Sequence, residues 1–141
     1  MQKNAKEITN KKEVQEHMIA LQILDHQLKQ GQQQLMVIEQ QVSDLETVRV
    51  GLIDLAGSSS GSELFVPFSS GIFVKAELKD VSHVLVNIGA STAVKKTLPE
   101  AQQIVDVQIK ELRELQGQLS GQVQRLVAEA ERLQEKVSAT Q

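Results

Sequence analysis

The chain contains no cysteine, no tryptophan and no tyrosine. Without cysteine there is no disulfide framework, no thiolate metal site and no thiol nucleophile. That suits a reducing compartment, and a cytoplasmic location is the expectation. No apolar run approaches the roughly 18 residues a membrane span requires, so no membrane partner is expected. The segment from Met1 to Glu16 is too charged for a secretory leader. Neither sign of charge dominates. A formal net charge of −3, with both signs mixed along the chain, leaves no basic footprint for nucleic acid. The few aromatics are the sharper clue. All three, Phe65, Phe68 and Phe73, fall mid-chain, between flanks rich in Leu, Val, Gln, Glu and Lys. The core is therefore expected to be a thin aliphatic seam on either side of one compact patch. With 141 residues the chain is read as a single domain, 1–141.

What is present, first, is heptad periodicity. From about Thr9 to Ala56, position a falls at Val14, Leu21, Leu28, Leu35, Val42 and Arg49. Position d falls at His17, Leu24, Gly31, Ile38, Leu45 and Leu52, and nine of the twelve are apolar. A 3.5-residue repeat held this long predicts a coiled-coil helix over 9–56, roughly 70 Å in length. From Leu98 to Val137, Val105, Leu112, Leu119, Leu126 and Leu133 recur every seven residues, with Ile109, Gln116, Val123, Ala130 and Val137 as companions. A second helix over 97–137, roughly 60 Å long, is predicted. Thr97-Leu98-Pro99-Glu100 reads as its capping box, and Gly57 as the left-handed cap of the first helix. Two seams of similar length imply an antiparallel hairpin, with Leu52 near Val105 and Val14 near Val137. Gly31 and Gly121 interrupt helix propensity at about 1 kcal/mol each, as points of local flexibility or as tolerated defects.

Between the helices, 57–63 reads as a flexible Gly/Ser linker by composition. The segment 64–96 then repeats itself. Leu64 to Lys75 is followed twenty residues later by Val84 to Lys95, with Val66 matching Val86, Val74 matching Val94 and Lys75 matching Lys95. Each unit is an alternating apolar run, a small-residue turn and a second alternating run, a β-hairpin signal given twice. Alternation places Leu64, Val66 and Phe68 on one face, likewise Val84, Val86 and Ile88, and an inward set at Ile72, Val74, Ala76 and Leu78. Phe65 and Phe73 are apolar where solvent should be. Either they cover the helix stems, or both faces are buried against another chain. Two short hairpins are marginal alone and leave open edges.

A long helix, two β-hairpins and a returning long helix resemble the alpha class of prefoldin subunits, of archaeal type. Val66-Pro67 with Gly71-Ile72-Phe73-Val74-Lys75-Ala76 is similar to the family's first hairpin. Ile88-Gly89-Ala90 with Val94-Lys95-Lys96-Thr97-Leu98-Pro99-Glu100-Ala101 is similar to its second hairpin and helix start. Ser69-Ser70 and Asn87 depart from the pattern, where a Gly-containing turn and a Pro are frequent. The resemblance implies an α+β fold: a long antiparallel coiled-coil hairpin whose two β-hairpins join an oligomeric β-barrel platform. It implies a hexamer of two alpha with four beta subunits. It further implies an ATP-independent chaperone that captures unfolded client proteins at coiled-coil tips and delivers them to a group II chaperonin.

The residues themselves offer no catalytic constellation, no phosphate-binding loop and no metal spacing among His17, His26 and His83, so no enzyme, cofactor or metal is expected. The informative residues are apolar ones outside the seam. Met18, Ile19 and Ile23 near one tip and Val127 near the other are the candidate client-binding residues. Leu64, Phe65, Val66, Phe73, Val74, Val84 and Val86 are the candidate oligomerisation residues. The alternatives are a filament-forming or homo-oligomeric prefoldin-like holdase, and a purely structural coiled-coil hairpin.

Overall fold

The structure, a computed structural model, describes residues 2–140. The element order is α1 (Gln2–Ala56), β1 (Glu63–Ser69), β2 (Ile72–Glu77), β3 (His83–Gly89), β4 (Thr92–Thr97) and α2 (Leu98–Thr140). The chain divides into two compact units. The arm unit holds the chain up to Gln40 and from Arg113 onward; the stem unit runs Gln41–Leu112.

The heptad reading survives residue by residue. All ten α2 seam positions are buried or half-buried, and on α1 only Arg49 is exposed. Arg49 instead reaches Asp106 at 3.4 Å and Glu46 at 3.7 Å. Within each unit the two helices run antiparallel. In the stem unit Leu52 packs with Leu98, Ala101 and Val105. In the arm unit Glu39 meets Arg113 and Gln116, and Gly31 lies against Val123 farther along α2. At the end of the seam Val137 is buried and Val14 half-buried.

Four local expectations change. α1 begins at Gln2 rather than near Thr9; the Thr9 hydroxyl donates to the Ala5 carbonyl at 2.8 Å, as a threonine inside a helix does. Gly57 is not left-handed, since the positive-φ glycines are Gly61, Gly71 and Gly89. α1 closes instead through Gly57 N–H to Ile53 O and Ser58 hydroxyl to Asp54 O. The Gly/Ser segment is an ordered turn. Gly61 N–H donates to Leu78 O at 2.7 Å and Leu78 N–H to Ser62 O at 2.8 Å, while the Ser60 and Ser62 hydroxyls donate to Lys79 O and Ser59 O. Composition cannot anticipate this, because the partners lie across the chain at the exit of β2. Gly31 is neither a flexible point nor a defect. It is buried, and a Cβ there would stand 2.8 Å from a Val123 methyl, so a side chain would force Val123 to shift. Nothing lies near the corresponding position of Gly121.

Thr97 caps α2 as expected, with the reciprocal contact of Glu100 made to the Thr97 hydroxyl. Glu100 N–H donates to the Thr97 hydroxyl oxygen, and that hydroxyl donates to the Glu100 carboxylate at 3.0 Å. The strands make two separate two-stranded antiparallel sheets, β1–β2 and β3–β4. The twenty-residue repeat is also a repeat of register: Val66 faces Val74 as Val86 faces Val94, and Phe65 faces Lys75 as Leu85 faces Lys95. Each hairpin carries a bulge one residue before its turn, at Phe68 and at Ile88. The first turn uses Gly71 at φ +76°. The second holds Ala90 and Ser91 at +49° and +60°, both central residues of its turn left-handed.

Candidate binding and assembly surfaces

The second hairpin is seated on the helices of its own chain. Val84 and Val86 pack on the stem cluster of Leu52, Leu98, Ala101 and Val105, which Leu45, Leu55 and Ile109 extend. The connection from β2 fixes this seat. Asp80 accepts from the Ser82 hydroxyl at 2.7 Å and the Ser82 N–H at 2.8 Å, and its other oxygen lies 3.2 Å from His83 Nδ1. The hydrogen bond from the Ser82 side chain, aided by the Ser82 backbone and His83, holds the Asp80 carboxyl at about 2, below its ordinary range. The Ser82 carbonyl then accepts Leu98 N–H, joining this turn to the first residue of α2. Only one face is covered. Leu85, on the other, is 75% exposed, and Ile88 at the bulge also faces solvent.

The first hairpin has neither face covered. Leu64, Val66 and Val74 lie on one face, and all three are exposed. Phe65 (68% exposed) and Phe73 (59%) lie on the other, beside Pro67 and a Lys75–Glu63 ion pair of 3.0 Å. The phenylalanines therefore do not cover the helix stems. The expected inward set also changes. Ile72 is exposed with Val74, and Phe68 leaves the face of Leu64 and Val66 because the bulge breaks strict alternation there. Phe68 becomes the most exposed aromatic, at 77%.

In the arm unit, Met18, Ile19, Ile23 and Val127 are all exposed. In the seam frame they occupy e, f and c on α1 and e on α2. Ile19 and Ile23, one turn apart, lie on the side of α1 away from its partner, while Met18 flanks the seam. Val127 sits on the shoulder of α2. The neighbouring groove between the helices is lined by Leu21, Leu28 and Ala130 with Gln22, Asp25, Glu131 and Gln134, and by none of the four. They are thus an apolar pair and two separate residues, not one patch. Sequence reading passed over other off-seam apolar residues with the same exposure. Ile8, Met36, Val37 and Leu115 belong to the arm unit, and Val48, Val50, Ile53 and Val107 to the stem. All fall outside a and d, and the same heptad test that found Ile19 finds them.

Nothing in this geometry prepares bond-making chemistry. Among the described residues no group of three or more His, Cys, Asp or Glu is placed to hold a metal ion, and no helix is long and apolar enough to cross a membrane. What the arrangement offers is apolar surface on strands and on helices.

The family profile for prefoldin subunits matches residues 24–141. Prefoldin subunit alpha of Archaeoglobus fulgidus is 27% identical over 134 residues, 95% of this chain and 98% of the relative. The same subunit of Methanoculleus marisnigri is 30% identical, over 91% of this chain and 85% of the relative. Human prefoldin subunit 5 is 32% identical over 70% of each chain. Among solved structures, filamentous prefoldin from Methanocaldococcus jannaschii superposes with a TM-score of 0.73 at 20% identity, covering 83% of this chain and 97% of that one. That likeness is one of fold.

Proposed function

The chain belongs to the prefoldin family as an alpha-type subunit, and from that premise we propose that it holds unfolded client proteins on its helical arms, without nucleotide, and passes them to a group II chaperonin. A prefoldin subunit is a chaperone component rather than an enzyme. Assembly runs through Leu64, Phe65, Val66, Phe73, Val74, Val84 and Val86, with beta subunits in a ratio of two alpha to four beta. The observation that carries this reading is the first hairpin, uncovered on both faces, with Leu64, Val66 and Val74 exposed on one and Phe65 and Phe73 on the other. A short hairpin is marginal alone, and large exposed apolar patches mark interaction sites.

Clients are held where the arms leave Met18, Ile19, Ile23 and Val127 exposed. Each large aliphatic side chain buried against a client contributes about 1.5–3 kcal/mol before ordering costs. One arm therefore grips weakly, and several arms on one platform grip well through effective concentration. Weak individual contacts also allow release without hydrolysis. Replacing Ile19, Ile23 and Val127 together by Ser is expected to leave the assembled particle intact by native mass spectrometry. The particle concentration needed to suppress aggregation of a diluted, denatured test protein should rise about tenfold or more. Undiminished protection by an intact particle would place client holding elsewhere. A homo-oligomeric or filamentous assembly is the second reading, because uncovered hairpin faces can be met by copies of the chain itself. Weighing particles formed with and without a beta subunit separates the two.

A further inference from the structure

We infer that the client surface runs along the outer side of α1 from Ile23 to Ile8, and that Lys11 and Lys12 on it select unfolded segments whose apolar residues are flanked by Asp or Glu. The inference rests on the proposal that clients are held at Ile19 and Ile23, and it names the class of segment that this site takes. The seam stops at Val14, yet α1 continues to Gln2. Upstream of Val14 the seam positions fall on Asn10, Glu7 and Lys3, and residues 3–13 are all exposed. Polar side chains at seam positions do not draw a second helix. This stretch, about 16 Å long, is therefore free on every side among the described residues. Ile8 is its one large apolar side chain, and it is exposed.

Helical spacing ties Ile8 to the residues already described. Ile8 and Ile19 are eleven residues apart, close to three full turns, and Ile23 follows one turn later. The three isoleucines form one line on the side of α1 away from α2. The line is about 22 Å long, the span of an extended segment of about seven residues. Lys12 stands in it, one turn from Ile8 and two from Ile19, and Lys11 flanks Ile8. Among the described residues neither lysine is held in an ion pair, Glu16 one turn from Lys12 included. Residues 3–13 carry four lysines and two glutamates, a net charge of +2 in a chain whose overall charge is −3. The locally positive stretch and the apolar line thus coincide. A segment with carboxylates beside its apolar residues meets both at once. Apolar burial supplies the grip, and charge supplies the choice, because a Lys-flanked segment meets like charge.

The probes are labelled, unstructured peptides that share the same apolar residues, flanked by Glu in one, by Gln in another and by Lys in the third. Fluorescence anisotropy with the assembled particle measures their affinities. At low salt the Glu peptide is expected to bind about fivefold tighter than the Lys peptide, with the Gln peptide between them. Added salt should close that gap by screening the lysines. Lys11→Gln with Lys12→Gln should bring the ratio to within about twofold. Ile8→Ser should weaken the Glu and Gln peptides alike, by about threefold or more. All three positions are exposed and off the seam, and particle mass with helix content checks that the variants are folded. A ratio near one in the native chain, or a ratio that survives the lysine changes, overturns selection by charge. Unchanged binding by Ile8→Ser overturns the extension of the surface to Ile8. In either case client holding on the arm stands if Ile19→Ser with Ile23→Ser weakens every peptide. If that last pair changes no peptide's binding, both readings fall.

Discussion

The two hairpins have one register and nearly one pattern, yet they lead different lives in the folded chain. The second is anchored: Val84 and Val86 rest on the stem, and the Asp80–Ser82 turn ties its first strand to the start of α2. The first is tethered only at its base, through the hydrogen bonds between Gly61, Ser62 and Leu78, and presents both faces to solvent. Their difference is position in the chain, not strand chemistry. β4 runs directly into α2, so the strand and the helix that supports it are continuous. β1 is separated from α1 by the Ser-rich turn and has no such support. Similar sequence therefore serves intrachain stability in one case and is left for association in the other.

The largest test of this contrast places a carboxylate on equivalent faces. Val86→Asp puts charge against the stem cluster and is expected to destabilise the chain by about 2–3 kcal/mol, as an uncompensated, half-buried charge does. Val66→Asp in the dilute, unassembled chain should change stability by less than about 0.5 kcal/mol. Urea unfolding followed by circular dichroism compares them, and equal losses would abolish the distinction between anchored and free hairpins. A smaller effect is expected at the turns. Gly71→Ala forces a side chain into the left-handed region and should cost about 1 kcal/mol, whereas Ser91→Gly relieves that strain in the other hairpin and should gain about as much. The signs are opposite, so one pair of melting curves decides the point. The smallest effect concerns the junction. Asp80 has its pKa lowered from 3.8 to about 2. Its contribution is therefore fully present above the unfolded value and is lost as pH falls from about 4 towards 2. Asp80→Asn should flatten the acid limb of stability in that window, because the variant already lacks at neutral pH the small contribution that the native chain loses only in acid. An unchanged acid limb would remove Asp80 from the anchoring of the second hairpin.

How far the sequence discloses all this depends on whether a feature is periodic. The seam is periodic, and its residues were legible down to the exception at Arg49. The Thr97 cap and the doubled hairpin are local signatures and were legible too. What escaped is decided by partners distant in the chain or by one inserted residue. The bulge at Phe68 turns a side chain out of its expected face without altering the pattern that suggests that face. The serines from Ser58 to Ser62 look flexible by composition, and become ordered only because Leu78 and Lys79 return beside them. The candidate client residues were legible as off-seam apolar positions. That Ile19 and Ile23 look away from the inter-helix groove follows from their heptad positions; the groove itself is a property of two helices together.

The close approach at Gly31 has a consequence for how the helices align at all. A seam built from Leu and Val every seven residues matches itself almost as well after one helix slides by a heptad, so aliphatic packing alone leaves the alignment degenerate. Gly31 removes that degeneracy. Sliding α2 by one repeat in either direction would set Val123 against Leu24 or Ile38, where a large side chain already stands, and would leave the vacancy at Gly31 facing Gln116 or Ala130. One direction strands an amide in the seam and the other leaves a void, and both crowd a valine against a large buried side chain that would have to shift. The residue that weakens α1 as a lone helix is thus the key that admits a single alignment of the pair.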